Sequence, residues 1–224
     1  ADAVRREVLA GLAHDLRTPL TSLRLLAEAI EAEANEDRRR RYARQLSTHV
    51  RSLDCLIDDL FELSRIEAGN VDWPLEHVRL HELVEETVDA FESTMAMKGI
   101  ETQMRVSASL PPAWANPEKL QRVLFNLVQN AVRHTPPHGL VSVAAEAKGA
   151  RIEVEVRDTG EGIGASERER VFEPFYRAGG ETPGAAGLGL AICRAIVEAH
   201  GGSIWLAESS RGARIRFSLP SAPP

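Results

Sequence analysis

The apolar positions change period partway along the chain. Leu9, Leu16, Leu23 and Ile30 recur every seven residues, with Leu12 and Leu26 on the companion d position and Leu20 beside the stripe. That is the seam of a coiled coil or helix bundle. A polar break, Glu33–Asp37, interrupts it. A second stripe follows through Leu46, Leu53 and Leu60, flanked by Val50, Leu56, Ile57 and Leu63. The spacing predicts two long helices in an antiparallel hairpin. Two helices alone bury little surface, so the expected product is a dimeric four-helix bundle.

After a linker-like stretch, Gly69-Asn70-Val71-Asp72-Trp73-Pro74, the pattern becomes mixed. His81–Lys98 reads as a helix and Ile100–Val106 as a strand. A further helix starts at Asn116, where Asn is a favoured N-cap, Pro117 suits the first helical position and Glu118 suits the positive dipole end. It carries Leu120, Val123, Leu124, Leu127, Val128 and Ala131 on one face and stops near Pro136-Pro137. Val141–Ala147 and Arg151–Arg157 alternate around Lys148-Gly149-Ala150, a hairpin signal. Gly187–His200 reads as a helix ending at Gly201-Gly202. Ser203–Ala207 and Ala213–Leu219 read as closing strands. The fold class is therefore α+β: a helical hairpin over 1–68, a linker over 69–76, an α/β sandwich over 77–220 and a frayed tail over 221–224.

Composition narrows the function classes. Of 224 residues, 43% are apolar and 27% charged, which excludes wholesale disorder. The longest uncharged apolar runs are far too short to span a bilayer, and Arg5, Arg6 and Glu7 break any signal peptide. The net charge of −6 argues against general nucleic-acid binding. Cys55 and Cys193 are too few for a disulfide framework and read as small core residues. The run Arg38–Arg41 reads as a solvated face. His77 and His81 have i,i+4 spacing but lack a third ligand nearby, so they read as surface residues rather than a metal site.

Candidate chemistry begins at His14. With Leu9 at heptad position a, His14 falls at f, facing outward, with Asp15 beside it and Thr18 one turn on. Spacing alone fits either a solvated surface histidine or a nucleophile with an adjacent base. Pro19 adds weight to the second, because proline inside a helix costs about 3 kcal/mol and bends it. Further on, Asn126 and Asn130 lie one turn apart on one helix face, and an amide oxygen suits Mg²⁺. Asp158-Thr159-Gly160-Glu161-Gly162-Ile163-Gly164 follows a strand, and its alternate glycines allow a ligand close to the backbone. Gly187 and Gly189 open a helix whose terminal amides can cradle phosphate.

These stretches resemble, in order, the boxes of sensor histidine kinases. His14-Asp15-Leu16-Arg17-Thr18-Pro19-Leu20 resembles the H-box and Asn126 through His134 the N-box. Asp158 through Gly164 resembles the G1 box, Phe172-Glu173-Pro174-Phe175-Tyr176-Arg177 the F-box, and Gly184 through Leu190 the G2 box. The resemblance implies a Bergerat (GHKL) sandwich, shared with Hsp90 and gyrase B, using ATP and Mg²⁺. It implies that His14 accepts the γ-phosphoryl, Asp15 is the general base, and Thr18 helps hydrolyse the partner's phospho-aspartate. Asn130 becomes the Mg²⁺ ligand, with Asn126 beside it. Arg133 and Arg177 face phosphate, His134 the adenine or ribose, and Asp158 adenine N6. Gly160, Gly162 and Ile163, with Gly187, Leu188 and Gly189, line the nucleotide. Ala178–Pro183 reads as a lid anchored by Phe172.

The chain departs from the pattern twice. Asn116 stands where many members have Asp, and Gly212-Ala213-Arg214-Ile215 stands for Gly-Thr-x-Phe, removing a hydroxyl that often supports the adenine-binding Asp. The expected partners are a second copy through the hairpin and the receiver domain of a response regulator. The expected place is the cytoplasmic part of a membrane-anchored sensor, with membrane contact only through segments preceding this chain. The competing readings are a catalytically silent scaffold and an ATPase clamp.

Overall fold

The computed structural model of the chain describes residues 20–176 and 187–222. His14, Asp15, Thr18, Arg177 and the expected lid at 178–183 lie outside them. The first helix, α1, is described over 20–32, and after a three-residue break α2 runs over Glu36–Glu67. The break matches the polar stretch in the sequence. Asn35 caps α2 by accepting a hydrogen bond from the Arg38 backbone N–H at 3.0 Å, and Glu36 and Asp37 sit at the positive dipole end. Gly69, at φ +70°, closes the other end, and the Asn70 N–H returns to the Arg65 carbonyl.

The remaining elements are β1 (Glu76–Val78), α3 (Leu80–Lys98), β2 (Glu101–Val106), β3 (Ala113–Ala115) and α4 (Pro117–His134). They are followed by β4 (Leu140–Lys148), β5 (Arg151–Asp158), α5 (Gly189–Ala199), β6 (Ser203–Leu206) and β7 (Arg214–Pro220). Short 3₁₀ turns at Ala165–Glu167 and Arg170–Phe172 lie between β5 and α5. The main sheet has the order β2-β4-β5-β7-β6. Only β2 and β4 pair in parallel; the other neighbours are antiparallel. β1 and β3 form a separate two-stranded ribbon.

Alternation along the strands decides the layers. Val141 and Val143 on β4, Ile152, Val154 and Val156 on β5, and Ile215, Phe217 and Leu219 on β7 are buried. They meet Leu80 and Val84 of α3, Leu124 and Leu127 of α4, and Ile192 and Ile196 of α5 in one core. Fully burying each such side chain stabilises the fold by about 1.5–3 kcal/mol. The opposite sheet face is polar: Glu155 pairs with Arg214 and Arg216. Burial pushes the Glu155 carboxyl up, but the two guanidiniums together outweigh it and hold it below its ordinary value.

The hairpin is packed differently. Among its described residues only Leu56 and Leu63 are buried, and both face the sandwich. Around them, Asp59 and Glu62 of α2 pair with Arg122 of α4, and Glu62 also pairs with Lys119 at 2.9 Å. Desolvation raises the Asp59 carboxyl despite Arg122 beside it. One expectation needs correcting. Cys193 is buried, but Cys55 is exposed on α2 and is not a core residue of the chain. It sits two positions from Leu53, and at about 100° per residue that carries it off the Leu53–Leu60 seam.

Candidate active site

Helix α4 is the spine of the site. Asn116 Oδ1 accepts the Lys119 N–H at 3.0 Å, so the cap forms as the sequence predicts. Seven apolar residues of α4, from Leu120 to Val132, are buried in the core. The opposite strip presents Asn126 and Asn130, both half-buried, then Arg133 and His134, both exposed. At about 1.5 Å per residue the strip is roughly 12 Å long. The last turn is held by a contact that the sequence reading missed. Lys98 Nζ donates to the carbonyls of Val132 at 2.9 Å and Arg133 at 3.2 Å, a cation on the negative end of the helix.

The Asp158 loop abuts the C-terminal end of the strip. Asp158 ends β5 and is buried. Its Oδ1 accepts the Gly160 N–H at 2.8 Å and the Ala213 N–H at 3.1 Å. The second bond fills the place of the missing hydroxyl: at position 213 the backbone, not the side chain, steadies the carboxylate. The approach is possible only because Gly212 has no side chain. A Cβ there would fall 2.0 Å from the Asp158 carbonyl oxygen, and its φ of +71° is costly for other residues. Gly160 is equally tight, since a Cβ would fall 2.3 Å from the His134 carbonyl oxygen. Gly162 lies against Gly212, and Ile163 packs on the core edge.

Helix α5 abuts the other end. Gly189 opens it, and a Cβ built there would lie 3.9 Å from the Asn126 Cγ. Leu188 is buried beneath that turn, and as the N-cap residue it makes no side-chain cap hydrogen bond. The N–H groups there carry a partial positive charge beside the asparagine strip. Gly187 is tied to the F-box segment by the Phe175 N–H, which donates to its carbonyl at 3.0 Å. Phe172 is buried in the core. Tyr176 donates to Glu167 and lies under the Arg170 guanidinium, 4.4 Å from the ring centre.

Thus Asn126, Asn130, Arg133, His134, Asp158, Gly160, Gly162, Ile163, Gly187, Leu188 and Gly189 gather along one helix and the two loops flanking it. His81 is bonded to the Val106 carbonyl and His77 packs edge-on to Trp114.

Residues 115–223 match the family model of histidine kinase-, DNA gyrase B- and HSP90-like ATPases. Residues 4–69 match the His kinase A phosphoacceptor domain. The alginate biosynthesis sensor protein KinB of Pseudomonas aeruginosa is 32% identical over 98% of the chain, which spans 37% of KinB's own length. The full-length ShkA structure, in complex with AMPPNP, is 29% identical with a TM-score of 0.73, over 96% of this chain and 45% of that one. The histidine kinase ThkA, solved with the response regulator TrrA, is 24% identical with a TM-score of 0.77, over 97% of this chain and 62% of that one; this likeness shows the fold. A phosphoacceptor hairpin joined to a GHKL sandwich defines the class, and the chain belongs to the sensor histidine kinases. It spans less than two thirds of the curated relatives it matches.

Proposed function

We propose that the chain is an ATP-dependent protein-histidine kinase that phosphorylates His14 and passes the phosphoryl group to an aspartate of a response regulator. The observation that carries this reading is the order of groups along α4. The α5 N-terminus lies beside Asn126 and the Asp158 loop lies beside His134. That order supports a nucleotide lying along the strip, phosphates toward α5 and base toward Asp158. Asp158, its Oδ1 already bonded, accepts the adenine amine. Arg133 and Arg177 face the phosphates, and the α5 amides take up their charge. Among the described residues no His, Cys, Asp and Glu group could hold a metal by itself. A half-buried amide oxygen nonetheless fits Mg²⁺, an ion that keeps its waters and leans on phosphate. Asn130, with Asn126 beside it, would hold the ion, which neutralises phosphate charge when bound. The rest is positioning, as phosphoryl transfer requires.

At the hairpin, the His14 ring nitrogen attacks the γ-phosphorus, ADP departs and Asp15 takes the imidazole proton. A general base contributes about 10²–10⁴-fold. The Thr18 hydroxyl is too weak a base for that step but can orient a water. That water attacks the regulator's phospho-aspartate, giving the chain phosphatase activity as well. The exposed Leu20, Leu25, Val50, Ile57 and Phe61 support a homodimer formed through the hairpin. The groove between α1 and α2, about 520 Å³ and lined by Leu25, Leu26, Arg44 and Thr48, supports the same arrangement.

The test is a chase. The chain is labelled with γ-labelled ATP and Mg²⁺, then mixed with purified receiver domains. Label should appear first on this chain and then move to a receiver. Asp15→Asn should cripple the first step. Thr18→Ala should spare it and impair receiver dephosphorylation. ATP hydrolysis without a phosphoprotein would instead indicate a clamp, and ATP binding without label a scaffold.

A further inference from the structure

The linker between α2 and the sandwich is not free along its length. Trp73 stacks on His200, with ring centres 5.3 Å apart and planes 27° apart. The Pro74 carbonyl accepts a hydrogen bond from the Asn116 side-chain amide at 3.0 Å. His200 lies beneath, at the C-terminus of α5, and only 5% of it is exposed. Both its ring nitrogens are engaged. Nε2 accepts the Asn116 backbone N–H at 3.0 Å, so Nδ1 carries the proton and donates to the Ile196 carbonyl at 2.7 Å. Lys119 completes the cluster, 5.6 Å above the Trp73 ring and paired with Glu62 of α2. A tryptophan in a linker has no reason to be ordered unless something receives it. Here it is received where the start of α4 meets the end of α5.

We propose that Trp73 and Pro74 form a latch on the α4–α5 seam that fixes the length of the hinge between hairpin and nucleotide fold, with His200 as the positioning residue beneath it. The helix cap fixes the Asn70 N–H on α2, so the free backbone begins at Asn70 itself, and Glu76 begins β1. With the latch closed, the hinge is Asn70–Asp72. Released, it lengthens to Asn70–Leu75, three residues more. At about 3.3–3.6 Å per residue the added reach is roughly 10 Å. Effective concentration falls roughly as the −3/2 power of tether length, so doubling the hinge dilutes one domain near the other about threefold. Asn116 belongs both to the latch and to the cap of α4. The anchor that sets the hinge is thus the start of the helix carrying Asn126 and Asn130.

Spin-label distances test the latch without relying on catalysis. Exposed Cys55 on α2 takes one label and Met97→Cys, at an 80% exposed position of α3, takes the other. Cys193, with its thiol pushed up to about 12 by burial, stays unlabelled. The full chain is used, with excess unlabelled protein so that distances within one protomer dominate. Asp59→Asn and Glu62→Gln loosen the ion pairs that dock the sandwich on α2. In that background Trp73→Ala should move the far edge of the distance distribution out by about 10 Å, while Trp73→Phe, which keeps a ring on His200, should leave it in place. ATP affinity should stay within twofold, and His14 labelling at saturating ATP should slow about threefold. An unchanged far edge in Trp73→Ala would overturn the proposal. So would a lowered melting temperature and ATP affinity without added reach, because Trp73 would then be packing only. If no label reaches His14 but the reach still grows, the kinase reading fails and the latch stands.

Discussion

The sandwich closes its own core, while the described part of the hairpin turns several large side chains outward. Phe217, Ile152 and Leu124 are fully buried, whereas Leu25 is 56% exposed and Phe61 67%. Both regions are patterned sequences, so composition alone does not separate them. The alternation on β4, β5 and β7 is answered by helices of the same chain. Among the described residues of the hairpin, the seven-residue repeat is buried within the chain only at Leu56 and Leu63. One pattern specifies a domain; the other fits the homodimer proposed above.

The comparison breaks most readily at the core. Phe217→Ala should destabilise the sandwich by about 3–5 kcal/mol, as for buried aromatics generally. Leu25→Ala should change sandwich stability by no more than about 0.5 kcal/mol and weaken self-association instead. Urea unfolding and sedimentation on both variants check the pair, and a Phe217→Ala cost under about 1 kcal/mol would undo the contrast. Next in size is Gly212→Ala. Left-handed backbone and a blocked approach should cost about 1–3 kcal/mol and displace the Asp158 carboxylate, so ATP binding should weaken more than stability does. Calorimetry set beside thermal melting measures that difference.

A smaller effect is expected at Asn116→Ala, about 1 kcal/mol for the lost cap. Chemical denaturation should show it, with α4 amides exchanging faster. The smallest effect is a pH dependence. Burial holds His200 below its ordinary value of 6.5, so the unfolded chain takes up the proton first. Its contribution is complete above about pH 6.5 and is lost as pH falls through the lower folded value. Trp73, the Asn116 amide and the Ile196 carbonyl face the ring, with Lys119 and Glu62 beyond Trp73. Melting between pH 7.5 and 5.5 should slope downward in the parent and be flatter in His200→Gln.

What was legible in the sequence was local. The Asn116 cap, the α4 apolar face, the β4–β5 hairpin and the five motif boxes all rest on neighbours within a few positions. β1 and β3 were not, because three residues carry no readable period. Lys98 on the end of α4 and His200 beneath Trp73 join residues 34 or more positions apart, beyond any spacing rule. The Ala213 N–H on Asp158 leaves no trace in the sequence, because a backbone donor is present whatever side chain stands at 213. The one available signal for the latch was a bulky aromatic inside a stretch otherwise fit for a linker.

The proposed reaction moves the γ-phosphoryl group of ATP, bound along α4, to His14. Labelling with γ-labelled ATP, run on parent and His14→Gln side by side with ATP affinity measured on both, tests it most directly. The parent should carry an acid-labile, alkali-stable label, and His14→Gln should carry none while binding ATP as tightly. An acid-stable label, or equal labelling in His14→Gln, would contradict the account.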